Sequence, residues 1–212
     1  MGRRGEVFDN PVTGEYVVVL SDPDEQAEGV LVAQLRVRPG GRVASAHFHP
    51  RIRERFHVID GEVGFLLGGE KRKLGAGESA EVPPGMVHDW WHEGDGDALV
   101  VVEVDPGGRF KEMVGTMFGL ARDGKVDDQG LPRPLQLAVT ASAYRDVMIV
   151  ASPPPWIQRL IFGVLSPIGR MRGLRPKYEE YLHSETVVEP DSRALALLDE
   201  GGRLKAGAAL GA

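Results

Sequence analysis

Cysteine is absent from this 212-residue chain. That excludes disulfides, thiolate metal sites and cysteine nucleophiles together, while leaving the compartment open. No uninterrupted apolar run reaches the roughly 18 residues that a conventional spanning helix needs. The N-terminus, Met1-Gly2-Arg3-Arg4-Gly5-Glu6, has a basic pair but no apolar run of secretory-signal length, so cytoplasmic location is the default expectation. Positive charge is not in excess either. With 25 Lys+Arg against 31 Asp+Glu the net charge is −6, which argues against nucleic-acid binding driven by phosphate neutralisation.

What is present is ordinary for a globular protein: 42% hydrophobic and 26% charged residues. The length suffices for one domain with a core, or one domain plus an appendage. From Glu15 to Asp105 the chain reads as short strands cut by turn residues, the pattern of an all-β sandwich or barrel. The expected strands are Glu15 to Leu20, Val30 to Val37, Arg42 to His49, Arg53 to Asp60, Glu62 to Leu67, Lys71 to Leu74, Ser79 to Val82, His88 to His92 and Ala98 to Val104. After Pro106-Gly107-Gly108 the period changes to helical: Phe110, Met113, Val114, Met117, Phe118 and Ala121 predict a helix from Arg109 to Arg122. A second helix is expected over Leu135 to Ala151. A third begins after Ser152-Pro153-Pro154, with a kink at Pro167. No internal repeat occurs, so one barrel is expected rather than two.

Within the β region four residues able to bind a metal stand at informative offsets. In a strand His47 and His49 share a face, because side chains repeat every two residues. A short turn at Pro50 lets Glu54 return on the next strand. His88 follows on a later strand, after the rigid turn Pro83-Pro84-Gly85. Three imidazoles and one carboxylate suit Fe, Mn, Ni, Cu or Zn better than Ca or Mg, which prefer all-oxygen shells. One divalent transition metal is the cofactor expected.

The spacing around these residues resembles the two motifs of the cupin superfamily. The first reads Gly41, five residues, His47-Phe48-His49, four residues, Glu54, six residues, Gly61. The second reads Gly77, five residues, Pro83-Pro84-Gly85, two residues, His88. His92 stands where the family often has Asn. The resemblance covers about residues 27 to 105. It implies an all-β cupin barrel (jelly roll) with His47, His49, Glu54 and His88 as ligands, followed by a C-terminal α-helical extension. The corresponding division is 1–108 for the barrel, 109–185 for a helical extension packed on the barrel or a partner, and 186–212 for a partly flexible tail. It also implies a metal-dependent enzyme, foremost an oxygenase of the quercetinase-like type acting on a small oxygenated molecule. A metal-dependent isomerase, cyclase or hydrolase, or a non-catalytic small-molecule-binding cupin, are the alternatives. Cupins resemble one another in often forming dimers, so a homodimer is expected.

Parity sorts the remaining candidates. His92 shares a face with His88 and Trp90, and is either an acid/base or orienting residue or a satisfied buried histidine. Phe56, Val58 and Trp90 are pocket-wall candidates. His57 has the opposite parity to Glu54 and is expected to face outward, and His183 near the tail is read as structural. The segment from Pro155 to Lys177 combines a wide apolar face with Arg159, Arg170, Arg172, Arg175 and Lys177. A membrane surface is one partner such a helix can take, but burial against the barrel or another subunit is the preferred expectation.

Overall fold

Alternating apolar and polar residues, cut at short intervals by glycine, give eleven strands among the described residues. These residues, in a computed structural model, are 3–22 and 29–205. The strands are β1 (Val7–Asn10), β2 (Glu15–Ser21), β3 (Leu31–Val37), β4 (His47–Phe48), β5 (Arg53–Asp60), β6 (Glu62–Leu67), β7 (Glu70–Gly75), β8 (Ser79–Val82), β9 (His88–Glu93), β10 (Ala98–Asp105) and β11 (Ile149–Val150). The helices are α1 (Gly108–Arg122), α2 (Pro134–Ala143), α3 (Pro155–Met171) and the short α4 (Ser192–Ala196).

The strands form two antiparallel sheets ordered β1-β2-β3-β10-β5-β8 and β11-β4-β9-β6-β7. Residues of one parity from both sheets share one core: Val19, Leu35, Phe56 and Val100 from the first, Val63, Phe65 and Trp90 from the second. Phe56 and Phe65 meet edge to face across it, with centroids 5.1 Å apart. This is the β-barrel jelly roll with helices that the sequence leads one to expect. Gly61 carries the chain from β5 into the other sheet. Its φ is +74°, and a Cβ there would lie 2.8 Å from the Asp97 carbonyl oxygen, so only glycine fits.

β10 is buried on both faces because both are covered. Val101 on its outer face packs with Leu20, Val32, Ala194 and Leu204, so residues 194 to 204 lie against the outside of the six-stranded sheet. The buried Glu103 carboxylate accepts from the Arg55 guanidinium at 2.6 Å and from the Leu204 backbone N–H at 2.7 Å. Val187 bridges Glu6. Of the tail expected to be partly flexible, 206–212 lie outside the described residues.

Two expectations need correction. The strand expected over Arg42 to His49 shortens to β4, preceded by one isolated bridge between Arg42 and Trp91. The helix expected over Leu135 to Ala151 ends at Ala143. Beyond it Ile149 and Val150 pair with Phe48 and His47 as β11, and Ala151 N–H donates to the Ala46 carbonyl. The β-branched pair thus finds its hydrogen bonds on a sheet edge instead of in a helix. The helix α3 exposes Trp156, Leu160, Val164 and Met171 of its apolar face and leaves Ile157, Leu165 and Ile168 half-buried. It buries Gln158, Ser166 and Gly169. A Cβ on Gly169 would stand 2.6 Å from Val139 and 3.0 Å from the Leu135 carbonyl oxygen, so the helix approaches α2 through its small, polar side.

Candidate metal centre

The structure brings His47, His49, Glu54 and His88 together, all four buried, with one ligand atom from each lying within 4.8 Å of the others. β4 supplies His47 and, one residue past its end, His49. Glu54 stands on β5, and His88 opens β9 directly opposite His47. The turn at Pro83 to Met86 aims His88, with Gly85 at φ +83° and its N–H donating to the His49 carbonyl at 2.8 Å. Ring centroids lie 4.3 Å apart for His47 and His88, and 4.9 Å apart for His47 and His49.

Each imidazole is held from behind. Nδ1 of His47 lies 2.8 Å from the Ser45 carbonyl, that of His49 2.7 Å from Val147, and that of His88 3.1 Å from Met86. A carbonyl only accepts, so each Nδ1 carries the proton, and each Nε2 turns a lone pair inward. His49 Nε2, His88 Nε2 and Glu54 Oε2 are fully buried without a hydrogen-bond partner among the described residues. The 2.9 Å approach of His88 Nε2 to Glu54 Oε2 lacks hydrogen-bond alignment, as expected of two atoms aimed at a common third point. Buried polar atoms left unpaired are costly, and one divalent ion satisfies all three. The donor set therefore fits the transition metal expected from the sequence.

The electrostatics keep His47 and Glu54 in their ligating forms. Burial, followed by the neighbouring His88 and His49, pushes the His47 pKa down to about 3. Burial alone would raise Glu54, but the imidazoles of His49 and His88 reverse this and hold the carboxyl below its usual range. For His49 burial acts downward, yet the Glu54 carboxylate and the Val147 carbonyl outweigh it, so His49 is raised. His49 is thus the ligand at which protons compete with a metal, beginning above the ordinary histidine value of about 6.5. Protein loaded with metal and dialysed against metal-free buffer is expected to retain it near pH 8 and lose it as the pH falls through the histidine range toward about 5. Elemental analysis at each pH checks this, and occupancy that stays flat over the interval contradicts it.

A cavity of about 160 Å³ opens on the cluster at His47 and Glu54. Its walls are mostly apolar and include Phe56 and Trp90, together with Met113 and Phe118 of α1. Val58 is in the core, outside the lining. His92 is buried at the opposite end of β9, four residues and about 13 Å along the strand from His88. Its Nε2 lies 2.5 Å from the Gly96 carbonyl, and it does not line the cavity. The structure therefore does not bring His92 to the ligands. His57 lies on the face of β5 opposite Glu54 and meets Ser79 Oγ at 2.8 Å. His183 Nδ1 lies 3.6 Å from Glu6.

Four polar residues of the cavity were not anticipated: Asn10, Thr13, Glu15 and Lys111. Glu15 lines it beside Thr13 and Asn10, and Thr13 Oγ1 donates to Glu15 Oε2 at 2.6 Å. Burial pushes the Glu15 carboxyl up to about 7, against the opposing pull of the Thr13 hydroxyl. Shared parity with Val17 and Val19, both on the cavity wall, was the available signal.

The Cupin domain family model matches residues 33–110, a span that includes the three histidines, Glu54 and their strands. Residues 33–110 of this chain are a cupin domain. Germin-like protein 3-8 of Oryza sativa subsp. japonica is 34% identical over 120 residues, covering 51% of this cupin and 50% of the relative. Germin-like protein subfamily T member 2 of Arabidopsis thaliana is 34% identical over 109 residues, covering 48% of each. The chain spans about half the length of the curated relatives it matches. Among solved structures, KdgF from Halomonas sp. aligns with TM-score 0.41 at 20% identity over 47% of this cupin and 84% of that chain. An RmlC-like cupin from Shewanella frigidimarina aligns with TM-score 0.42 at 22% identity, over 50% and 87%.

Proposed function

We propose that this cupin is a metal-dependent enzyme, foremost an oxygenase, acting on a small oxygenated organic molecule in the cavity beside His47 and Glu54. The observation that carries the reading is the convergence of three buried, unpaired ligand atoms at the end of an apolar cavity. His47, His49, Glu54 and His88 would hold one divalent ion, with the Ser45, Val147 and Met86 carbonyls fixing the rings. Such an ion supplies Lewis acidity and, when redox-active, a route for electrons between substrate and dioxygen. The chain's own residues do the rest. Phe56, Trp90, Met113 and Phe118 exclude water and hold a carbon skeleton. Glu15, backed by Thr13, binds a polar group or moves a proton. Glu15 takes the acid/base role in preference to His92 because it stands in the cavity.

The same Glu15 favours a second reading, in which the reaction is a proton transfer in an isomerase, cyclase or hydrolase. A carboxyl that titrates near neutrality is suited to that work. Elemental analysis of protein purified without chelators, followed by oxygen-uptake measurements on phenolic and 1,3-dicarbonyl compounds, separates the two. Redox-active metal with substrate-dependent oxygen uptake is the expected result. Tightly held zinc with no uptake on any compound removes the oxygenase and leaves the proton-transfer reading.

A further inference from the structure

Five of the eight large hydrophobic residues exposed among the described residues lie on one helix, α3: Trp156, Leu160, Ile161, Val164 and Met171. At about 100° per residue, Trp156, Leu160, Val164, Pro167 and Met171 fall within a stripe of about 80°. The buried Gln158, Ser166 and Gly169 occupy the other side. The helix thus turns this apolar stripe to solvent, while Ile157, Phe162, Leu165 and Ile168 are half-buried. Trp156 is 63%, Leu160 66%, Val164 63% and Met171 80% exposed, a contiguous patch of the kind that marks an interaction surface.

Charge identifies what covers it. From 147 to 178 the chain contains no Asp or Glu but carries Arg159, Arg170, Arg172, Arg175 and Lys177, in a protein of net charge −6. Lys177 is paired with Glu112 and Glu179. The four arginines make no ion pair with any described residue. Arg159 and Arg170 flank the apolar stripe along one edge, at about 60° and 40° from Trp156. Two copies of this helix packed face to face would bring their arginines into one seam, with no acidic residue of that segment to neutralise them. An anionic lipid surface offers apolar depth for the stripe and phosphates for its edge. No helix here is long and apolar enough to cross a membrane, so contact is with the surface.

We propose that α3 docks this protein on anionic lipid membranes, with Trp156, Leu160, Val164 and Met171 in the acyl boundary and Arg159, Arg170 and Arg172 against the headgroups. The test is co-sedimentation of the full chain with vesicles of phosphatidylcholine alone and of an equimolar mixture with phosphatidylserine. The unaltered protein is expected to pellet with the mixture and much less with phosphatidylcholine. Each headgroup-facing arginine contributes about fivefold to the partition coefficient, so R159Q/R170Q/R172Q is expected to lower binding roughly a hundredfold. W156E/L160E changes exposed positions, and is expected to keep the native thermal midpoint while losing vesicle binding. Equal pelleting of unaltered protein and both variants, or no pelleting at all, overturns the proposal. So does a solution dimer that W156E/L160E dissociates while vesicles are ignored, because the face then belongs to a second copy.

Discussion

His88→Ala is expected to lower the affinity for a divalent transition metal by about a hundredfold or more, and His57→Ala to leave it within about twofold. Structural zinc sites with four protein ligands bind with roughly 10–16 kcal/mol, so one ligand represents about 3 kcal/mol, a factor of a hundred or more. His88 is among the clearest cases. Its Nε2 is fully buried without a partner, and its Nδ1 is fixed by Met86, so no other side chain substitutes for it. His57 has the same chemistry but faces away from Glu54 on β5 and is engaged with Ser79. Competition titration against a chromophoric chelator measures both affinities. Equal losses would mean that the ion sits elsewhere, and unchanged affinity in both would leave the quartet without a function.

The contrast between those two histidines was legible in the sequence because parity in a regular strand is a local property. β5, β6 and β8 have the ends the alternation predicts, since glycine or proline punctuates them and β6 and β8 pair in register along their length. Parity tells which face a residue occupies but not how far along the strand the site extends, and His92 shows the difference. It faces inward as expected, yet ends at the Gly96 turn, distant from His88. Glu15 was legible by the same rule, but only once the cavity made its face informative. The least legible part is β11, two residues whose partners on β4 lie about a hundred positions earlier. No local pattern encodes that pairing.

That hidden pairing matters for the candidate metal centre. The Val147 carbonyl that orients His49, and the Val150 backbone that borders His47, both come from the segment after α2. The cluster is therefore assembled by the cupin motifs together with a strand beyond them. Oriented outer groups of this kind commonly change metal affinity by about 10–100-fold. The helical region helps build the site as well as covering it, since α1 also supplies Phe110 against the His49 ring at 5.7 Å.

The position of α1 depends on a glycine, and Gly107→Ala is expected to destabilise the protein by about 3 kcal/mol. Gly107 caps the N-terminus of α1 at an ordinary φ of −106°, so backbone strain is not the issue. The obstacle is space. A Cβ at Gly107 would lie 2.4 Å from Leu31 Cβ, 2.5 Å from its backbone nitrogen and 3.0 Å from its Cα, while the Gly107 N–H donates to the Gly29 carbonyl at 2.6 Å. Two of those three atoms are main chain of β3 and cannot rotate away, which puts the cost at the upper end of the range for overpacking. For a chain of this size each kcal/mol lowers the midpoint by about 2–4 °C, giving a fall of roughly 6–12 °C. Gly163→Ala on α3 is the counterpart, because a Cβ there meets nothing within 4 Å. It is expected to gain about 0.5–1 kcal/mol from helix propensity. Thermal unfolding of the two variants beside the unaltered protein should shift in opposite directions. If Gly107→Ala melts with the unaltered protein, α1 has freedom to retreat from β3, and the cavity roof it carries is not held where Phe110 and Met113 now stand.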